Sequence, residues 1–295
     1  MNFSRVIYNK FLSSWMRISI TVIILIPFAI GIALLLKSLP IIRSDSIFNL
    51  VGSGKWAPSE GKFGFRPYIL SSVYVTLFSF LFAAPVSFLS AIYLTQFARG
   101  RLIKLVYPVI DILAGIPSVI YGVWGVLVIV PFISGFVAPV FNTSSSGFTI
   151  LAGGIVLAVM CIPYMLNMLL EVLKTVPTGL KEATLSLGAT NWETTKHVVL
   201  RNCFSGVVSS FGLGITKAFG ETLAVMMVVG NTVHISFNPL QSGYPLPALI
   251  ANNYGEMLSI PLYDSALMFA ALLLMTIILV INLFFRFLMY RAVNQ

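Results

Sequence analysis

Charged side chains are scarce in this sequence. Only 9% of its 295 residues are Asp, Glu, Lys or Arg, whereas soluble domains carry about 25%. Hydrophobic residues make up 58%, and the mean hydropathy is +0.96. So little charge excludes a soluble globular domain. The formal net charge of +9 does not indicate a nucleic-acid partner, because the meaning of charge in a membrane protein depends on the side of the bilayer where it lies.

Cysteine and histidine are also rare. Cys161 and Cys203 fall in or beside apolar segments, so we interpret them as small buried hydrophobic residues and not as a disulfide or metal pair. His197 and His234 have no carboxylate or cysteine at ligand spacing. The stretch GSGK at residues 52–55 lacks the other residues of a phosphate-binding loop. We therefore expect no metal, no cofactor and no enzymatic activity in this chain.

Long apolar runs dominate the sequence. A helix needs about 20 apolar residues to cross a bilayer, and six runs reach that length. They predict an all-α integral membrane protein of six transmembrane helices, with an N-terminal helix and external loop (1–67) before a core (68–289). The runs cover approximately residues 18–36, 68–94, 105–133, 149–170, 203–229 and 265–288.

Basic residues are distributed unevenly between the segments that join these runs. Twelve of the 18 lie with the two termini, five lie on the opposite side, and Lys217 lies within a run. Because Lys and Arg accumulate in cytoplasmic segments, both termini are predicted to be cytoplasmic.

One polar stretch, residues 181–200, interrupts the apolar sequence on the predicted cytoplasmic side. Thr190 and Glu193 have the spacing of a capping box, which predicts a helix that begins at Asn191. Thr178 is predicted to cap a preceding helix that ends at Gly188 in a left-handed conformation. The residues alone leave two roles open for this hairpin at about 178–201: it lies on lipid headgroups, or it fits a groove in another protein.

The same stretch resembles the cytoplasmic EAA loop of ABC importer permeases. The resemblance is carried by Glu182-Ala183, then by Gly188-Ala189-Thr190 and then by Trp192-Glu193-Thr194. It implies that Glu182, Ala183, Gly188, Ala189 and Thr190 belong to a coupling hairpin that docks into a separate ATPase.

Three further stretches resemble the permeases of phosphate-specific Pst importers, and the C-type subunit more than the A-type. They are WAPSEGKFGFRP (56–67), LAGIPSVIYGVWG (113–125) and KAFGETLAVMMVVGN (217–231). The resemblance implies a type I ABC importer permease fold in a prokaryotic inner membrane. It also implies four other components: an A-type permease subunit, two copies of an ATPase and an extracytoplasmic phosphate-binding protein.

Ionisable residues within apolar runs are functional candidates because a charge inside a membrane span is costly. Lys217 and Glu221 lie four residues apart, so the helix pattern predicts that they share a face and pair. They either neutralise each other as a structural tie or lie on the substrate path. Lys217 stands where relatives are expected to have arginine. Together with Ser118, Thr222 and Asn231 of the resembling stretches, they form the predicted path, whereas Asp111 is interpreted as structural.

Several alternatives remain at this point. Gly115, Pro117, Gly122 and Gly125 of the third run allow either close helix packing or a hinge. The transported anion is phosphate or another oxyanion such as molybdate or sulfate. A secondary transporter would instead use the buried charges for ion coupling.

Overall fold

The computed structural model of the chain describes residues 3–235, 237–256, 260 and 262–293. The described part is almost entirely helical, and its one sheet is a two-stranded antiparallel hairpin in which Trp56 pairs with Phe63. The all-α prediction is therefore confirmed. The elements in chain order are α1 (Phe3–Ser44), α2 (Ile47–Gly52), β1 (Trp56–Ala57), β2 (Lys62–Phe63), α3 (Arg66–Phe97), α4 (Gly100–Gly115), α5 (Ser118–Val140), α6 (Ile150–Lys174), α7 (Thr178–Ser186), α8 (Asn191–Asn202), α9 (Phe204–Phe219), α10 (Leu223–Val228), α11 (Leu246–Asn253) and α12 (Tyr263–Val293).

The described residues contain five helices that are long and apolar enough to cross a membrane: α1, α3, α5, α6 and α12. A sixth span is reached when α8 and α9, which meet at an angle of 72°, are counted as one bent helix. This arrangement confirms the prediction of six apolar membrane-spanning segments, although several of their ends differ from the predicted ones.

The third predicted run, 105–133, is not one helix. It is divided between α4 and α5, because Pro117 has no amide hydrogen to continue the helical bonding and Ile116 before it is extended, with ψ of 127°. Asp111 therefore lies on α4, outside the apolar span, where its carboxylate accepts a hydrogen bond of 3.5 Å from Asn167 Nδ2.

The first and fifth runs also differ from their predicted limits. The first run, 18–36, lies within the much longer α1, which extends to Ser44. The fifth run, 203–229, is interrupted at residues 220–222, between α9 and α10. Residues 221 and 222 belong to no helix, so α9 does not continue into α10.

The core is centred on α3 and α6, which pack closely along their length. Gly154 permits this approach, since a Cβ atom there would lie 2.6 Å from Cβ of Phe78. The helices are also joined by a hydrogen bond of 3.3 Å from Ser87 Oγ to the carbonyl of Ile162. Three buried clusters follow one another along the bundle, and the last joins α6 to α8 through residues such as Leu173 and Val199.

Candidate functional site

The polar hairpin, formed by α7 and α8, has the turn that its sequence predicts. Gly188 has φ of +87°, the left-handed conformation that favours glycine. The amide of Ala189 donates to the carbonyl of Thr184 at 3.3 Å, and the amide of Gly188 donates to Leu185 at 3.0 Å. These are the two bonds of a Schellman motif, which satisfies the last carbonyls of α7.

The capping box at the start of α8 is also confirmed. The Glu193 amide donates to Thr190 Oγ1 at 3.2 Å, and Glu193 Oε2 accepts from the Thr190 amide at 2.7 Å. The Thr190 amide, followed by its hydroxyl, holds the pKa of the Glu193 carboxyl below its usual value. The predicted cap at Thr178 is wrong: Pro177 is the capping residue of α7 and no side chain caps it.

The hairpin presents an apolar surface away from the bundle. Leu187 is 88% exposed, and Leu185 and Trp192 are also exposed. Glu182 and Ala183 lie on the exposed surface of α7. Residues on the other side of α8, among them Thr194, Thr195 and Val199, are buried and anchor the hairpin to the bundle.

Lys217 lies near the end of α9 and is exposed. Its Nζ is 4.2 Å from the centroid of the Tyr164 ring on α6, a distance at which the ring face attracts a cation. The predicted pair with Glu221 is not formed, and the one ion pair among the described residues joins Lys62 and Glu60. The reason is the break at 220–222, which removes Glu221 from the helix face of Lys217.

The other predicted path residues in this segment lie at the break itself. Glu221, which is partly buried, lines a small space together with Ser72 and Thr76 of α3. Thr222 Oγ1 donates to the carbonyl of Gly220 at 3.4 Å. The break therefore presents a carboxylate and hydroxyl groups next to the exposed ammonium of Lys217.

A second break, between α4 and α5, lies beside the first one. Gly122 and Gly125 of α5 pack against α10, and a Cβ at Gly122 would lie 2.6 Å from Met227 Sδ. Close packing is therefore the role of these two glycines. Ser118 begins α5 one turn before Gly122, which places it level with the start of α10. Tyr121 stabilises the break because its hydroxyl donates to the Leu113 carbonyl at 2.8 Å.

Asn231 lies apart from this group, at the other end of α10. It has φ of +50°, its Nδ2 donates to the Met226 carbonyl at 2.8 Å, and its buried Oδ1 has no hydrogen-bond partner in the described part of the chain. It borders a cavity of about 340 Å³ together with the hydroxyl residues Ser146, Thr232 and Ser242. The structure thus groups Lys217, Glu221, Thr222 and Ser118 near the breaks and places Asn231 at a separate polar cavity.

Sequence analysis did not identify Tyr164 or the hydroxyl groups of this cavity. Tyr164 is one of 11 tyrosines and lies in an apolar run. The hydroxyl residues around Asn231 come from two loops, since Thr232 and Ser242 share its own loop whereas Ser146 precedes Asn231 by 85 residues. The one available signal was the helical periodicity of α6. Cys161, Met165 and Leu169 form its buried face, and this spacing indicates that Tyr164 lies at the edge of that face.

A family model for the inner membrane component of binding-protein-dependent transport systems matches residues 83–294. The chain belongs to this family. Proteins that are similar to it include two from bacteria and one from an archaeon. The protein of Xylella fastidiosa strain 9a5c named phosphate transport system permease protein PstC is 37% identical over 253 residues, which cover 81% of this chain and 78% of the relative. A probable phosphate transport system permease protein PstC of Methanocaldococcus jannaschii is 32% identical, covering 77% of this chain and 75% of the relative.

The third relative is a probable ABC transporter permease of Bacillus subtilis strain 168, YqgH, which is 37% identical over 73% of this chain and 69% of its own length. Among solved structures, a chain of the inward-facing methionine ABC transporter MetNI has a TM-score of 0.55 at 22% identity. The match covers 78% of this chain and 94% of the other. The predicted ABC importer permease fold and the resemblance to the Pst permeases are both confirmed.

Proposed function

We propose that this chain is the transmembrane permease subunit of an ATP-driven phosphate importer and forms half of its translocation path. The observation that carries the proposal is the identity of 32–37% to several proteins named phosphate transport system permease protein, over most of both chains. The two helix breaks around Lys217 support it, since broken helices within a bundle provide binding groups for a transported ion.

In this transporter, the hairpin of α7 and α8 couples the chain to an ATPase. Its exposed leucine and tryptophan side chains form a surface for a groove in a partner, and Glu182, Ala183, Gly188, Ala189 and Thr190 set its shape. The sequence contains no nucleotide-binding motif, so ATP hydrolysis belongs to two copies of the partner ATPase. The hairpin therefore docks into a partner protein and does not lie on the lipid headgroups.

The path for the anion passes Lys217 and the break at 220–222. A phosphate ion that crosses a low-dielectric region needs a compensating positive charge, and the exposed ammonium of Lys217 supplies one. Glu221 and Thr222 at this break, and Ser118 at the break before α5, add a carboxylate and two hydroxyls to the path. In the absence of the anion, the Tyr164 ring stabilises the ammonium by a contact worth about 0.5–1 kcal/mol at an exposed position, which phosphate then replaces.

The orientation of the chain and its other partners complete the proposed transporter. Both termini and the hairpin are cytoplasmic in a prokaryotic inner membrane, and the polar cavity beside Asn231 faces outwards, where it receives phosphate from a binding protein. An A-type permease subunit completes the path, and membrane lipid surrounds the apolar surface of α1.

Transport by the purified complex tests this function. Proteoliposomes that contain this chain, its partner permease and the ATPase are supplied with binding protein and radiolabelled phosphate, molybdate or sulfate. We expect phosphate uptake that requires ATP and that a tenfold excess of molybdate or sulfate does not inhibit. Uptake of molybdate or sulfate in place of phosphate would contradict the assigned substrate, and uptake driven by an ion gradient without ATP would favour a secondary transporter.

A further inference from the structure

A large cavity opens at the elbow where α8 meets α9. Its volume is about 1040 Å³, within the order of size that ligand sites reach. One wall is polar and basic, and it consists of Lys196, His197, Arg201, Asn202 and Ser205. None of the residues proposed for the anion path borders this cavity.

The basic wall carries unbalanced positive charge. Among the residues that the structure describes, no Asp or Glu lines the cavity, and neither Lys196 nor Arg201 forms an ion pair. Both side chains are exposed. His197 and Asn202 already bond to backbone carbonyls of α8, through Nδ1 at 3.2 Å and Nδ2 at 3.2 Å. The two basic side chains are therefore available for an anionic group.

The opposite wall of the cavity is apolar. Phe204, Val208 and Phe211 follow one stripe of α9, and Phe88 of α3 faces them, with its ring centroid 5.9 Å from that of Phe211. Phe204 is 54% exposed. A free inorganic anion gains nothing from such a wall, whereas hydrocarbon chains gain free energy for each methylene that leaves water.

The elbow lies at the boundary between polar and apolar parts of the chain. The basic α8 ends at Asn202, and the apolar α9 begins at Phe204. Gly206 packs against Val172, which is two residues before the end of the span α6. The basic wall is thus level with the end of a membrane span, at the depth where lipid headgroups meet the hydrocarbon.

The cavity also lies on the opposite side of α9 from the proposed path. Val208 and Lys217 are nine residues apart, which is about two and a half helical turns, so their side chains point in opposite directions. A phosphate ion in transit beside Lys217 would not meet this cavity.

We propose that the elbow cavity is a binding site for an anionic phospholipid. Lys196 and Arg201 bind the headgroup phosphate, the planar guanidinium of Arg201 by two parallel hydrogen bonds, and the acyl chains lie along Phe204, Val208 and Phe211. Basic cavities between helices at a membrane surface are suited to acidic headgroups. The bound lipid fills the space behind the base of the hairpin and so stabilises the angle between α8 and α9.

Lipid retention by the intact complex tests the proposal. The complete transporter is purified in detergent from membranes, incubated with equimolar phosphatidylglycerol and phosphatidylcholine, and analysed by native mass spectrometry. We expect one phosphatidylglycerol molecule retained for each copy of this chain. The Lys196→Gln and Arg201→Gln double variant should lose retention at least tenfold, whereas Lys196→Arg and Arg201→Lys should keep it.

The matched control is the Arg99→Gln and Arg101→Gln double variant, which removes two exposed charges on the same proposed side that do not line the cavity. It should retain the lipid. Equal retention of phosphatidylcholine, or full retention by the Lys196→Gln and Arg201→Gln variant, would overturn the proposal. Displacement of the lipid by millimolar inorganic phosphate would instead assign the cavity to the transported anion, and a cross-link from Phe204 to the partner permease in place of lipid would assign it to a subunit interface.

Discussion

The ammonium group of Lys217 lies 4.2 Å from the ring centroid of Tyr164 and forms no ion pair with Glu221. The two contacts differ in their effect on an anion. A carboxylate partner would neutralise the lysine, whereas an aromatic ring stabilises the cation without cancelling its charge. The arrangement leaves Lys217 exposed and still positively charged, next to the break between α9 and α10.

Substitution of Lys217 tests whether this charge is part of the path. We expect Lys217→Gln to abolish phosphate uptake in proteoliposomes with the complex still assembled, because its exposed ammonium is the compensating positive charge of the proposed path. Lys217→Arg should retain much of the uptake. The matched control is Lys174→Gln, which removes an ammonium with a similar contact, 4.4 Å above the Tyr107 ring. Normal uptake by Lys217→Gln would show that the lysine is a structural element only.

Tyr164 provides a second, independent test of the same contact. Tyr164→Phe keeps the ring face, so its uptake rate should match that of the unmodified protein. Tyr164→Leu removes the ring and leaves phosphate bound more tightly to Lys217, so the maximal uptake rate should fall about two- to fivefold, the factor that corresponds to 0.5–1 kcal/mol. The control is Tyr107→Leu, which removes the ring below Lys174 and should leave the uptake rate unchanged. Equal rates for the two Tyr164 variants would contradict a role of the ring.

Substitution of Gly188 tests whether the turn of the hairpin is needed for coupling to the ATPase. Its φ of +87° is most strained for a β-branched side chain, and no atom of the described residues lies within 4 Å of an added Cβ, so a substitution acts through the backbone alone. We expect Gly188→Val, which is destabilised by about 1–2 kcal/mol, to abolish transport-coupled ATP hydrolysis while the subunit still inserts. Gly188→Asn should retain much of the coupling, since asparagine tolerates this conformation.

The control for this variant is Gly179→Val. Gly179 also has open space around it but an ordinary helical φ, so the variant adds the same side chain to the hairpin without the backbone strain. It should retain coupling. Full ATP coupling by a well-expressed Gly188→Val protein would remove the support for the docking role and favour a hairpin that lies on headgroups.

The turn of the hairpin and the start of α8 were predictable because their signals are local. Gly188 ends α7 and Thr190 caps α8 through atoms within five residues of each, and such patterns can be recognised from the sequence alone. An interruption near Pro117 was one of two alternatives that the sequence left open, whereas the break at Gly220 was not predicted, because Gly220 lies within a long apolar run. The Tyr164 contact depends on the packing of α6 against α9, which are 30 or more residues apart in the chain, and no local pattern reports it.

The Glu193 carboxylate makes the stability of the start of α8 depend on pH. Its pKa is lowered in the folded hairpin by the Thr190 amide and hydroxyl, so the stabilisation is complete above the usual carboxyl pKa of about 4.3 and is lost as the pH falls through the lowered value. We expect hydrogen exchange of amides 190–194, referenced to an unfolded peptide at each pH, to be constant from pH 7 to about 5 and to rise below about pH 4. Glu193→Gln should remove this rise, and an unchanged rise in that variant would assign it to another group.

Labelling with a membrane-impermeant maleimide tests the proposed orientation. The native cysteines, Cys161 and Cys203, are only 1% and 5% exposed, so they give a low background. Ser59, Ser144 and Ser186 are exposed, whereas Thr194 in the hairpin is 4% exposed and would not react on either side. In intact cells we expect Ser59→Cys and Ser144→Cys to be labelled and Ser186→Cys to react only after the membrane is opened. Since a cysteine at Ser186 has free access to solvent, its labelling in intact cells would place the hairpin outside and would invert the proposed topology.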